Sequence, residues 1–174
     1  MTATMVPTET ANPIAEPGRW SVDPAHSTVG FEVRDMAGLI ATVRGRFTDY
    51  EGTLVTGADG EARASGAIRV ASVTTDQLQR DEHLRSPQFL DTGRFPEIRF
   101  ASDRIEPLDG ERIRIAGRLQ LKGSEEQVEL DARVLGSGVD RHGAERIAIA
   151  GEGEIGFGPM RVKLVLDVSL TKGE

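Results

Sequence analysis

Between Arg112 and Leu121 the chain alternates residue by residue. Ile113, Ile115, Leu119 and Leu121 fall on one side; Arg112, Arg114, Arg118 and Gln120 fall on the other. A period of two puts every second side chain on the same face of a pleated strand, so this stretch predicts a strand with one apolar and one polar face. The pattern recurs along the chain. His26–Arg34 sets Val29, Phe31 and Val33 against Thr28, Glu32 and Arg34, and Gln127–Val134 aligns Val128, Leu130, Ala132 and Val134. Arg161–Leu170 aligns Val162, Leu164, Leu166, Val168 and Leu170. Shorter runs begin at Arg19, Thr42, Asp49, Ser65 and Glu97, and Ile147–Phe157 supplies a further closing strand. Turn signals separate them: Asp23-Pro24, the segment TGADGEA, Asp109-Gly110, Lys122-Gly123-Ser124 and the predicted loop GSGVDRHGAE. About eight or nine short strands at this spacing suit a sandwich or a barrel. A closed sheet has the advantage of leaving no exposed edge.

One stretch breaks the pattern. In VTTDQLQRDEHLRSPQFLDTGRFPEIRF (Val73–Phe100), Thr74 and Gln77 stand at capping-box spacing, and Val73 and Leu78 stand at the positions of a hydrophobic staple. Asp76 suits the positive end of a helix dipole, and Arg80, His83 and Arg85 suit the other end. SPQFLD then reads as a second short turn, and Pro96 forces an extended entry into the next strand. The expectation is an all-β chain, closed as a barrel, with a helical insert between middle strands that lies across or beside one end.

The 174 residues contain no apolar run near the length of a membrane-spanning helix and are long enough to bury a core. There is no cysteine, which excludes disulfides, thiolate nucleophiles and cysteine-bound metal. A formal charge of −7 argues against a nucleic-acid surface. Residues 1–17 combine three prolines with Thr, Ala and Glu, and lack a basic or apolar signal region. They read as a disordered tail before a domain over residues 18–172, with the cytoplasm as the expected compartment.

No catalytic constellation forms. His26, His83 and His142 lack any paired metal spacing, so no metal is expected; His83 reads as a helix C-terminal partner, His142 as a loop residue and His26 as bonded to local backbone. Gly136-Ser137-Gly138 is too short for a nucleophile elbow. Glu152 and Glu154 share a strand face and read as outer-surface glutamates. Gly151, Gly153, Gly156 and Gly158 precede no helix, so they are not a phosphate cradle; they read as strand glycines that allow close packing or bending.

Five ordered segments carry a family resemblance: Trp20–Val33 (WSVDPAHSTVGFEV), Val43–Phe47 (VRGRF), Arg80–Asp91 (RDEHLRSPQFLD), Phe95–Phe100 (FPEIRF) and Gly117–Gly123 (GRLQLKG). Together they resemble the YceI-like family of lipocalin-like polyisoprenoid-binding proteins. That resemblance implies an eight-stranded antiparallel barrel with a helical segment between middle strands. It also implies an elongated apolar tunnel holding an isoprenoid lipid, quinone or similar amphiphile, with no cofactor and no enzymatic residue. Burying a prenyl chain gains roughly 0.8 kcal/mol per CH₂. The candidate lining is Phe31, Val33, Met36, Val43, Phe47, Phe89, Phe95, Phe100, Ile115 and Leu119. The chain has Asp35 where family members often carry His, and it keeps only Phe157-Gly158 of a C-terminal Arg-x-Asp-Phe-Gly signature. The apolar loop MAGLI suits an entrance flap or the contact of a homodimer. The rival expectation is a stress-response or interaction module whose barrel is filled by its own side chains.

Overall fold

A computed structural model describes residues 14–34 and 41–173. Eleven strands form one sheet: β1 (Gly18–Val22), β2 (Thr28–Arg34), β3 (Thr42–Phe47), β4 (Tyr50–Thr56), β5 (Ala62–Arg69), β6 (Val73–Thr74), β7 (Glu97–Pro107), β8 (Arg112–Leu121), β9 (Ser124–Val139), β10 (Glu145–Phe157) and β11 (Met160–Lys172). Six of them combine pairwise into three longer staves. β1 and β2 lie on the same edge of β11 and are split by a 3-10 turn, Pro24–His26. β3 and β4 continue one another past Thr48-Asp49, and β5 and β6 past a second 3-10 turn, Val70–Ser72. The outcome is a closed, eight-staved antiparallel barrel in which each stave pairs with its neighbours in sequence and β11 returns to β1.

Closure leaves two distinct ends. The base carries the turns 57–61, 108–111 and 140–144; the top carries the helical insert and the turns 122–123 and 158–159. The Lys122-Gly123 turn has both residues at positive φ (51° and 78°), the pairing whose twist matches that of the flanking strands. The predicted loop GSGVDRHGAE is half strand: β9 runs to Val139, β10 starts at Glu145, and Asp140–Ala144 makes the turn, with Asp140 N donating to Ala144 O at 2.8 Å. A register shift near Ala148/Ile149 absorbs the small, glycine-rich sequence that suggested a loop.

The helix α1 covers Leu78–Arg85, three residues later than the capping-box spacing implied. Thr74 and Val73 belong to β6 instead, where Val73 is completely buried. No side-chain cap is made by Gln77; the Asp81 carboxylate instead ties the chain entering the helix, accepting from Thr75 N (2.8 Å) and Thr75 Oγ1 (2.6 Å). Leu78 is therefore no staple and is 82% exposed, whereas Leu84 is buried against Val33, Val43 and Val73.

The tail boundary also moves. Ile14 and Ala15 are buried among Trp20, Leu54, Ile113, Ile147 and Leu170, so packing begins upstream of Gly18. The remainder of the expected tail, and the MAGLI loop apart from its surroundings, lie outside the described residues.

Outside the base, an ion-pair network ties staves that are distant in sequence. Arg146 donates to Asp140 (2.6 Å) and to Asp23 (3.0 Å), and Asp23 also receives His26 Nδ1 at 2.7 Å. His26 thus engages a carboxylate in addition to local backbone. The Arg146 guanidinium, helped by the Ala144 and His142 amides, holds the Asp140 carboxyl down to about 2.

Two outcomes are expected. Because the Asp140 carboxyl is depressed in the fold from about 3.9 in an unfolded chain, its stabilisation is present above pH ~4 and is lost as pH falls toward ~2. Thermal melts followed by circular dichroism should decline through that window, and Asp140→Asn should flatten the decline. In denaturant titrations, Leu84→Ala should cost about 2–5 kcal/mol, while Leu78→Ala on the same helix should stay within about 0.5 kcal/mol.

Candidate functional site: an apolar hollow through the barrel

The inner face repeats one arrangement. Large side chains pair with glycine on the adjacent strand, so the neighbouring stave offers no side chain beside them. Phe31 pairs with Gly45, Phe100 with Gly66, Leu164 with Gly153 and Leu166 with Gly151. The fit is close: a Cβ on Gly45 would stand 2.4 Å from Phe31 Cζ, and one on Gly117 would stand 2.7 Å from Phe100 Cε1. Rings fold flat onto these bare patches of backbone and are kept from crossing the barrel. Gly45 therefore seats a ring.

A hollow of about 290 Å³ remains along the axis. A single water needs only ~10–15 Å³ in the same terms, so the space is on the order of twenty times that of one water. The barrel is not packed solid. The degree of burial along the wall agrees: Val29, Phe31, Phe47, Phe100, Ile115, Leu164 and Leu166 all point inward yet are only half-buried. They border empty space on their inner side.

The hollow is long. Its wall reaches from Ile14, Ile113 and Leu170 at the base to Leu84, Phe89 and Met160 under the insert. Met160 and Leu170 are the two ends of one stave, roughly 33 Å apart along an extended strand, or ~25 Å along the axis of a barrel with tilted strands.

Polarity is nearly absent inside. Glu51, Thr53 and Ser65 border the hollow through their backbone, since strand alternation turns their side chains outward with Gly52 and Gly66 inward. Among the described residues whose side chains line the hollow, Tyr50 carries a hydroxyl. Burial pushes its phenol upward, with the Asp23 charge adding to the effect, so it stays a neutral hydroxyl. The charges lie outside in cross-strand pairs, such as Arg69–Glu51 at 2.6 Å and Lys163–Glu152 at 3.4 Å. Glu154, like Glu152, faces outward and pairs with a cation, Arg161.

Of the ten residues expected along the lining, the structure brings seven to the hollow: Phe31, Val33, Phe47, Phe89, Phe100, Ile115 and Leu119. Val43 is buried outside it, packed between β6 and α1 with Val73 and Leu84. Phe95 sits at the exit of the insert, under the Arg94 guanidinium (5.2 Å) and against Gly123. Met36 lies outside the described residues. Reasoning from motifs missed the long contribution of β11 (Val162, Leu164, Leu166, Val168), although its alternation was plain. It also missed Ile14, for which no periodic signal exists.

Among the described residues no cluster of three His, Asp or Glu side chains is placed to hold a metal. His83 lies edge-on to Phe89 at 4.8 Å, and the His142 amide donates to Asp140 in the basal turn. No described helix is long and apolar enough to cross a membrane.

Comparison with known proteins agrees with this geometry. The sequence profile of the YceI-like domain matches residues 20–164. Protein YceI of Escherichia coli O157:H7 is 31% identical over 140 residues, which cover 79% of this chain and 72% of that protein. A UPF0312 protein of Enterobacter sp. (strain 638) is 32% identical over 132 residues, covering 75% and 67%. Among solved structures, a Campylobacter jejuni YceI protein superposes with a TM-score of 0.72 at 26% identity, covering 78% of this chain and 88% of that one. Burkholderia cenocepacia BcnA gives 0.73 at 20% identity, with 85% and 98% covered, and shares the fold. So does a polyisoprenoid-binding domain from Saccharophagus degradans, with a TM-score of 0.64 at 15% identity over 88% and 98% of the two chains. With the profile spanning residues 20–164 and a relative 31% identical over 79% of its length, the chain belongs to the YceI-like family.

Proposed function

We propose that this protein binds an isoprenoid lipid, a quinone or a similar amphiphile in the barrel, and stores or carries it without transforming it. The observation that carries this reading is the half-buried inner wall: above its packed base, the eight-staved barrel leaves Phe31, Phe47, Phe100, Leu164 and Leu166 pointing inward and only half-buried. A protein selected for stability alone gains by filling such a space, because each lost contact weakens the core. Leaving it empty makes sense when a guest completes the packing.

The chemistry of the wall selects the guest. With the Tyr50 phenol as the polar side chain among the described lining, a charged or strongly hydrated molecule would lose its water without compensation. A branched hydrocarbon tail loses nothing and gains roughly 0.8 kcal/mol for each CH₂ buried. The elongated outline suits a chain better than a compact ring system. A polar head is best placed under the helical insert, where the wall ends in half-buried Phe89, Leu90, Phe157 and Met160 and where Lys122 approaches. The polyisoprenoid-binding character of the Saccharophagus degradans domain, which shares the fold, supports the same class of ligand.

Farnesol titrated into the protein should raise its melting temperature and saturate at one molecule per chain by native mass spectrometry. Leu166→Trp and Ile115→Trp, which fill the hollow from opposite walls, should abolish this rise while leaving the far-UV spectrum unchanged. Undiminished farnesol binding by both filled variants would rule out the barrel interior as the site.

A further inference from the structure

We infer that the segment Ile14–Pro17, which is not a stave, forms the floor of the hollow, and that Ile14 sets the length of tail the barrel accepts. The inference rests on the reading of the hollow as a lipid site. Its starting point is placement. Ile14 precedes β1, yet it is 4% exposed and forms part of the inner wall together with Ile113 and Leu170 at the base.

The segment is fastened rather than loosely packed. The Glu16 carbonyl accepts from Thr56 Oγ1 at 2.6 Å and from Trp20 Nε1 at 3.1 Å. Thr56 and Trp20 are both buried, and each is held by the β1–β4 pairing that closes the barrel. The Glu16 carboxylate lies 3.7 Å from Lys172 Nζ, at the end of β11. The same carbonyl thus engages two neighbouring staves, and the side chain reaches a third. Ile14 is thereby held across the base of the hollow, in contact with the tightly packed basal cluster.

This position separates depth from width. Side chains on the staves, such as Leu164, set how wide the hollow is at a given height, and changing them loosens the fit for a tail of any length. Ile14 stands at the far end, where only a tail long enough to reach the floor meets it. Shortening Ile14 should deepen the hollow by one or more methylenes, and enlarging it should raise the floor. A hydrophobic pocket discriminates a single methylene by about 10-fold or more.

The test is a competition among geraniol, farnesol, geranylgeraniol and solanesol at equal concentration, with bound species read by native mass spectrometry. Ile14→Ala should shift the bound ratio of longer to shorter prenols upward by about tenfold, Ile14→Val by less, and Ile14→Trp in the opposite direction. Leu164→Ala should change total binding while leaving that ratio unmoved. Melting curves identify any variant that fails to fold, in which case Ile14→Val carries the comparison. Binding of prenols with an unaltered length profile in all Ile14 variants would overturn the floor assignment alone. So would a Leu164→Ala shift equal to that of Ile14→Ala. Absence of prenol binding by the unaltered protein would instead remove the lipid reading on which the assignment stands.

Discussion

The return of β11 to the first stave is the constraint from which the rest follows. β11 pairs along one edge with β10, and along the other with β2 over its first half and β1 near its end. Once that seam is made, every stave has two neighbours over the base of the barrel, and the inner faces of all eight converge on one axis. The apolar face of each strand then has a single destination. A sandwich built from the same strands would press two such faces together at about 10 Å and expel the space between them. A closed wall holds them apart at a distance set by the number of staves and their tilt.

Within that wall, glycine decides whether the middle fills. Phe31 lies against Gly45 and Phe100 against Gly117, so two of the largest inner side chains are turned along the wall. Leu164 and Leu166 stand beside Gly153 and Gly151. Substituting a side chain at any of these glycines would push its neighbour toward the axis. Backbone spacing and side-chain omission together produce a lining that is apolar, continuous and incompletely packed, and the outer charge pairs play no part in it.

Much of this could be read from the residues. Strict alternation located β8, β9 and β11, since a period of two has no competing interpretation over ten residues. The insert was also legible, because Pro96 and the SPQFLD turn interrupt strand sequence unmistakably. Its start was not: Thr74 and Gln77 have the spacing of a cap, but burying Val73 in β6 outweighed a local hydrogen bond, and Asp81 satisfied Thr75 from within the helix. Glycine-rich Gly136–Gly138 looked like loop and is strand, because pairing with β10 through an irregular register compensates for a weak local preference. Seven of the expected lining residues reach the hollow because motif and inner face coincide there. Val43 has the right alternation but sits beside α1, and Phe95 belongs to a turn; neither fact has a signature in spacing. Ile14 was invisible for a similar reason, since a segment that crosses a barrel end has no period.

The breaks in the three composite staves lie side by side. Pro24–His26, Thr48-Asp49 and Val70–Ser72 are neighbours across the sheet, and Ser72 Oγ accepts from the amides of both Thr48 and Asp49. Strand count and slant ordinarily fix the girth of a barrel from end to end. A crease through three adjoining staves divides that relation, since the segments above and below it can slant differently. The rim beneath the insert is thus free to have a circumference of its own, and the vessel can be shaped like a flask without adding a ninth stave.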